Sequence, residues 1–123
     1  MIKFIDFDGT LFESKDRVIP DFTPNEKAIE LLEGDSYIVS GNLKSHIVET
    51  LNFFQIPFSD KRIIGYRRGM PMDNLKRKIR VINDAIKRFK LEDKLSEITY
   101  IGDETDDYRA CQEIGIRFTN IND

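Results

Sequence analysis

At 123 residues the chain has the length of one domain and can close a hydrophobic core without cross-links. Hydrophobic residues make up 40% and charged residues 33%, which excludes a wholly disordered chain, and the formal charge of −3 selects no partner by itself. The single cysteine, Cys111, excludes an internal disulfide, no apolar run is long enough to span a bilayer and no signal peptide precedes the first strand, so the expectation is a soluble, cytoplasmic protein with no membrane partner.

The first element is "IKFIDF" (2–7), apolar and β-prone with little alternation, as expected for a strand covered on both faces. "FTPNEKAIELLEG" then predicts a helix with Thr23 as N-cap, Pro24 at the first helical position, Glu26 as the capping-box partner and Gly34 as the stop. "SYIVSG" (36–41) is a second short buried strand. Leu43, Ile47, Leu51 and Phe54 share one face of the next helix, which Pro57 closes. "KRIIGY" (61–66) predicts a third strand, and Leu75, Ile79, Ile82, Ile86 and Phe89 form a long apolar stripe at helical spacing. "ITYIGD" (98–103), a helix over 105–114 and "IRFTNI" (116–121) complete the chain. Short apolar strands alternating with helices predict an α/β three-layer sandwich. Its sheet is doubly wound, mainly parallel and Rossmann-like, with residues 1–123 forming a single domain.

Two aspartates interrupt this apolar logic at the end of the first strand. Asp6 and Asp8 are two residues apart, so they share a face if strand geometry persists that far. At ~5 Å and an effective dielectric of about 20, two such charges repel by roughly 3 kcal/mol, so the pair calls for a cation or a shared proton. In doubly wound sheets ligands bind at the carboxyl ends of the strands. There the second strand carries Ser40-Gly41-Asn42, and the fourth carries Gly102-Asp103 followed by Glu104, Thr105, Asp106 and Asp107. Several carboxylates and a hydroxyl on one rim suit Mg²⁺, and a helix N-terminus after Ser40-Gly41 adds a phosphate site.

Three of these segments carry a resemblance. "DFDGT" (6–10), "IVSG" (38–41) and "GDETDD" (102–107) resemble the first, second and fourth motifs of the haloacid dehalogenase superfamily of aspartate-nucleophile phosphatases, over almost the whole chain. The resemblance implies that Asp6 is the nucleophile and forms an aspartyl-phosphate. It makes Asp8 the general acid for the leaving alkoxide and then the base for the hydrolytic water. Ser40, with Gly41, would bind the phosphoryl oxygens. Mg²⁺ would be held by Asp6, the Asp8 backbone carbonyl and Asp103, with Asp107 supporting the metal shell or the motif lysine, and Asp106 as the alternative for that supporting place. For the lysine, Lys78 lies at the usual distance before the fourth motif and flanks the apolar stripe, whereas Lys76 projects further towards solvent. Its cation would offset carboxylate and phosphoryl charge. Members that displace halide lack an acid/base aspartate at the position of Asp8, so phosphoryl transfer is implied. The segments "LFESKDRVIPDF" and "GYRRGMPMDN" leave room for a turn, a small flap and a loop, not a cap domain. A capless member with an open rim suits a bulky substrate or a lid formed within a homo-oligomer.

The residues outside these motifs each have a plainer reading. From Lys61 to Lys94 there are twelve Lys/Arg against four Asp/Glu, either a solvated helix face or a surface for an anionic partner. Arg67 and Arg68 are candidates for a second anionic group on the substrate, or simple loop charge. Phe12 and Tyr66 either line the opening or pack. His46, Met70 and Met72 read as packing or surface residues, and Cys111 as a small buried one. The expected function is a Mg²⁺-dependent phosphomonoester hydrolase acting on a small-molecule or macromolecular substrate. A phosphate- and Mg²⁺-binding regulatory module with little turnover and a nucleic-acid end-processing phosphatase are the alternatives.

Overall fold

The computed structural model describes residues 1–14 and 22–123. Phe4 and Ile5 are fully buried because their strand, β1 (Ile2–Ile5), is the middle of a five-strand parallel sheet. With β4 (Ser36–Leu43), β5 (Ile63–Tyr66), β6 (Ile98–Gly102) and β7 (Arg117–Asn120), the strand order is β5-β4-β1-β6-β7. Neighbouring residues on each strand feed opposite cores. Phe4, Val39, Ile64 and Tyr100 face one side, and Ile5, Ile38, Ile63 and Ile101 the other. That two-sided burial is why these strands read as continuous apolar runs.

On the first side lie α3 (Asn74–Arg88) and α4 (Thr105–Ile114), contributing Val81, Ile82, Ala85, Ala110 and Cys111. On the second lies α2 (Lys44–Phe53), contributing Ile47 and Leu51. The expected three-layer α/β architecture is therefore observed. Since β1 is flanked by β4 on one side and β6 on the other, the chain changes direction across the sheet at β1. The carboxyl ends of these three strands bound the crevice where ligands bind in such sheets.

Several expected boundaries move. Thr23 and Pro24 belong not to a helix but to β3 (Phe22–Pro24), which pairs antiparallel with β2 (Phe12–Ser14) in the register Phe12 to Pro24. Cross-strand pairing takes these two residues out of the helix. The N-cap of α1 (Glu26–Ile29) is consequently Asn25, whose side chain accepts from the Ala28 N–H. The segment between the two hairpin strands, where the flap was expected, falls on residues 15–21, outside the described residues. β4 runs on to Leu43, so Leu43 precedes α2 and is 51% exposed instead of joining the stripe, and the helix starts four residues after Ser40, at Lys44. Lys61 and Arg62 form a 3₁₀ turn ahead of β5. Among the described residues no helix is long and apolar enough to cross a membrane.

The relocated cap is testable by urea denaturation. Asn25→Ala is expected to cost about 0.5–1 kcal/mol, the ordinary value of a lost N-cap, and Thr23→Ala to cost less. The reverse order would restore the longer helix.

Candidate active site

β1 ends at Ile5, and the chain turns immediately. Asp6 keeps its N–H on Ile101 O of β6 at 2.9 Å, while its own Oδ1 accepts from the Phe7 N–H at 2.8 Å. Gly9 sits at φ +75, a left-handed turn that an L side chain resists, and a Cβ there would run into the Asp103 carboxylate. The turn tucks Thr10 inside, where its hydroxyl donates to Asp103 Oδ1 at 3.3 Å. "DFDGT" is thus a strand end followed by a glycine turn that closes on the end of β6.

This turn separates the two aspartates. Asp6 is fully buried, whereas Asp8 is half-buried, and its Oδ2 accepts from the Asn42 side-chain amide at 3.0 Å. The expected repulsion between Asp6 and Asp8 assumed that the strand continued. It does not, and the carboxylate pressing on Asp6 is Asp107.

Asp107 comes from the first turn of α4. Its Oδ2 accepts from the N–H groups of Asp103 and Glu104, each at 3.1 Å, and a Cβ on Gly102 would collide with it. Its Oδ1 lies 2.6 Å from Lys78 Nζ, which also donates to Asp6 Oδ2 at 3.0 Å. Lys78 is buried on the core-facing side of α3 beside Val81 and Ile82, whereas Lys76 is exposed. Oxygens of Asp6, Asp103 and Asp107 lie within 4.8 Å of one another.

The electrostatics follow from three carboxylates around one ammonium. Burial raises Asp6 to about 7, with Lys78 pulling it down and Asp107 pushing it up. Burial alone would lower Lys78, but Asp6 and Asp107 outweigh it and hold the amine above its ordinary value. Asp103 is raised by burial, then by Asp107 and Glu104. When all three carboxylates are ionised, the cluster carries two more negative charges than Lys78 balances. Its free donors are hard oxygens, the ligand type that Mg²⁺ and Ca²⁺ take. Thus Asp6, Asp103 and Asp107 have the chemistry to hold a divalent cation, although Asp6 and Asp107 also share the Lys78 ammonium.

A cleft of about 250 Å³ opens above this cluster, lined by Asp6, Asp8, Ser40, Gly41 and Lys78. Those five expected site residues are brought together, and Asp103 and Asp107 stand behind Asp6. Ser40 is buried, and its Oγ accepts from the Asn42 N–H at 3.1 Å, a turn within β4 and not a helix cap. Asp106 is held away from the cluster by Asn74, whose amide donates to it at 2.8 Å.

Residues outside the motifs fall as follows. Arg67 pairs with Asp84 at 2.8 Å outside the cleft, and Arg68 is an exposed loop residue. Phe12 packs in the core against Phe7, Phe22 and Phe54, while Tyr66 does line the cleft. His46 sits edge-on to the rings of Phe7 and Phe22. Met70 is buried and Met72 exposed. Burial pushes the Cys111 thiol up to about 12, which leaves it unreactive.

Four polar residues of the site carry no expectation from sequence: Thr10, Asn42, Asn74 and Arg77. Thr10 ends the "DFDGT" motif and Asn42 follows "IVSG", so both are legible as candidates by position. Asn74 and Arg77 reach the cleft from the start of α3, where no spacing marks them.

Residues 26–121, more than three quarters of the chain, match the haloacid dehalogenase-like hydrolase family. The chain belongs to that family, and is a hydrolase of that type. No curated protein matches it. The "DFDGT" turn precedes the matched stretch, and the contact from Lys78 to Asp6 ties the two together.

Removing the one cation should be costly. Lys78→Met is expected to lower stability by about 3–5 kcal/mol, because it strands buried carboxylates, whereas Lys76→Met should stay within about 0.5 kcal/mol. Urea denaturation in chelator measures both. A second outcome concerns Asp6. Its folded pKa, about 7, lies above the ordinary 3.8, so the folded state holds the proton more tightly and stability falls as pH rises from about 4 through 7. In chelator, Asp6→Asn should therefore melt above the wild type at pH 8, with the difference fading towards pH 4. A lower midpoint for the variant at pH 8 would show that the Lys78 pair outweighs the burial.

Proposed function

We propose that this protein is a Mg²⁺-dependent phosphomonoester hydrolase of the capless kind, working through an aspartyl-phosphate. The observation that carries the reading is a buried Asp6 carboxylate at the floor of an open cleft. It is ion-paired to Lys78, has Asp103 alongside, and lies below a more exposed Asp8 at the mouth. The loop 67–73 between β5 and α3 and the seven residues 15–21 are both too short for a cap domain.

Asp6 attacks phosphorus as the ester bond to the leaving oxygen breaks. Asp8 gives that oxygen its proton, and the alcohol departs. Asp8, now a carboxylate, takes a proton from the water that attacks the acyl phosphate, which releases inorganic phosphate and restores Asp6. Asn42 fixes the Asp8 carboxylate in place through its amide. The Ser40 hydroxyl and the backbone around Gly41 receive the phosphoryl oxygens, and Lys78 offsets charge on Asp6 and on the transferring group. A bound Mg²⁺, held by Asp6, Asp103 and the Asp8 carbonyl, would neutralise the remaining carboxylate charge and orient the phosphoryl group. Asp107 serves this arrangement by positioning Lys78 and the 103–104 turn.

The test is hydrolysis of para-nitrophenyl phosphate. Turnover should require Mg²⁺ and cease in chelator. Asp6→Asn should fall to background while keeping a native circular dichroism spectrum, and Asp8→Asn should lose about 10²–10⁴-fold. Substantial activity in folded Asp6→Asn would remove the aspartyl-phosphate, and a fully active chelated enzyme would remove the metal.

A further inference from the structure

Most of the cationic charge of this acidic chain lies between Lys61 and Lys94, and the fold gathers part of it into one groove. A space of about 340 Å³ runs along β5, the edge strand of the sheet. Its walls carry Lys44 from α2, Arg67 from the following loop, and Arg80, Lys87 and Arg88 from α3. One acid, Asp84, faces these five cations, and it is shared between Arg67 at 2.8 Å and Arg80 at 3.4 Å. Lys44, Lys87 and Arg88 have no carboxylate partner among the described residues. A solvated helix face acquires compensating acids at i,i+4 spacing, and here only Arg80–Asp84 does so.

This groove and the catalytic cleft meet at Tyr66, which lines both. Over the Tyr66 ring, 4.9 Å from its centroid, lies the Arg77 guanidinium, which also lines the cleft. Arg77 is held by the carbonyls of Pro71 and Met72 and by no carboxylate among the described residues, so its charge is available to the cleft. Cations therefore extend from Lys78 and Arg77 at the reacting centre to Lys87 and Arg88. That is about 16 Å along α3, a span of several nucleotides. Ile63 and Ile64 are only 2% and 8% exposed, so β5 offers little free edge for an added peptide strand.

We propose, resting on the hydrolase reading above, that the substrate is a single-stranded polynucleotide carrying a terminal phosphate. The end phosphate lies over Asp6, the adjoining nucleotide lies beside Tyr66 and Arg77, and the following backbone phosphates lie in the β5 groove. Cations spaced along a strand's path with an aromatic ring at the turn are the combination that binds single strands without reading sequence. The reaction consumes one water, releases inorganic phosphate and leaves a hydroxyl at the strand end.

Binding is read separately from turnover, by fluorescence anisotropy of the full chain carrying Asp6→Asn with labelled dodecathymidylate in Mg²⁺. Oligonucleotides with a phosphate at either end are compared with the hydroxyl-ended one. The phosphate-ended form should bind several-fold more tightly. Its affinity should fall with salt at a log–log slope of about −2 to −3.5, as for three to five phosphate contacts on a single strand. Lys87→Glu with Arg88→Glu should weaken binding about tenfold or more, and so should Lys44→Glu, which lies on a different helix. No binding at low salt, salt-independent binding, unchanged affinity in both variants, or equally tight binding of poly-glutamate would each overturn the proposal. Para-nitrophenyl phosphate hydrolysis by the wild type is run alongside. Turnover of that ester without oligonucleotide binding refutes the polynucleotide substrate and leaves the hydrolase reading intact, whereas oligonucleotide binding without any turnover refutes the hydrolase reading.

Discussion

The constraint on which the structure turns is a lysine buried between two carboxylates. Lys78 reaches Asp6 from α3 and Asp107 from α4, so it joins the end of the central strand to the two helices that cover one face of the sheet. Buried ion pairs are poor sources of stability, since desolvation consumes most of the Coulomb gain, and apolar residues of similar volume often do as well. This cluster is less favourable still, because it places Asp103 beside two carboxylates that a single ammonium already serves. Folding alone does not account for three acids gathered at one point, which is why a bound cation enters the proposed function.

The backbone makes room for that cluster. At the end of β6, Gly102 lets the Asp107 carboxylate approach the strand, and there it accepts two successive N–H groups and starts α4. At the end of β1, the positive φ of Gly9 turns the chain and leaves space for Asp103. The same turn divides two aspartates that are near neighbours in sequence into different environments. Asp6 is sealed against Lys78, and Asp8 is left half-buried under the amide of Asn42. Two carboxyl groups with different surroundings can take different roles in one reaction. The strand ends thus give one short motif two carboxyl groups in unlike surroundings, as the proposed division into nucleophile and acid/base requires.

Much of this was legible because the relevant signals are local and redundant. Buried parallel strands leave long apolar runs, and "IKFI", "YIV" and "ITYI" are all strands in the fold. Lys78 was separable from Lys76 because the stripe through Ile79 and Ile82 sets the phase of α3. What escaped depends on contacts distant in sequence. Thr23-Pro24 has the local chemistry of a helix start, but pairing with Phe12 and Glu13 draws it into a hairpin. Leu43 fits a helical stripe by spacing, but β4 extends to it before α2 begins. The sequence favours Asp107 for the supporting place with Asp106 as the alternative, and what separates them in the fold is Asn74, which holds Asp106 away while Asp107 meets Lys78. Arg77 reaches the cleft beside its buried neighbour Lys78, a placement that no pattern of hydrophobicity encodes.

The same separation of charge governs how a substrate approaches. An acidic protein repels anions on average, and a cluster of carboxylates at the floor of the cleft repels a phosphate ester most of all. Lys78 answers that repulsion only at contact range, since it is buried and already shared by two acids. Attraction at longer range has to come from exposed cations near the mouth. The half-buried Arg77 supplies part of it in the cleft, and Lys44 with the exposed Lys87 and Arg88, unpaired among the described residues, continues it along β5. A monoanionic or dianionic small ester would feel only the nearest of these. A chain of phosphates would use the whole path, with each added contact releasing counterions, and so would overcome the acidic floor by an amount that grows with its length. On the proposed polynucleotide reading, the acidic centre would favour long polyanions over short ones, because only the former bring enough charge to the groove to offset what the centre repels.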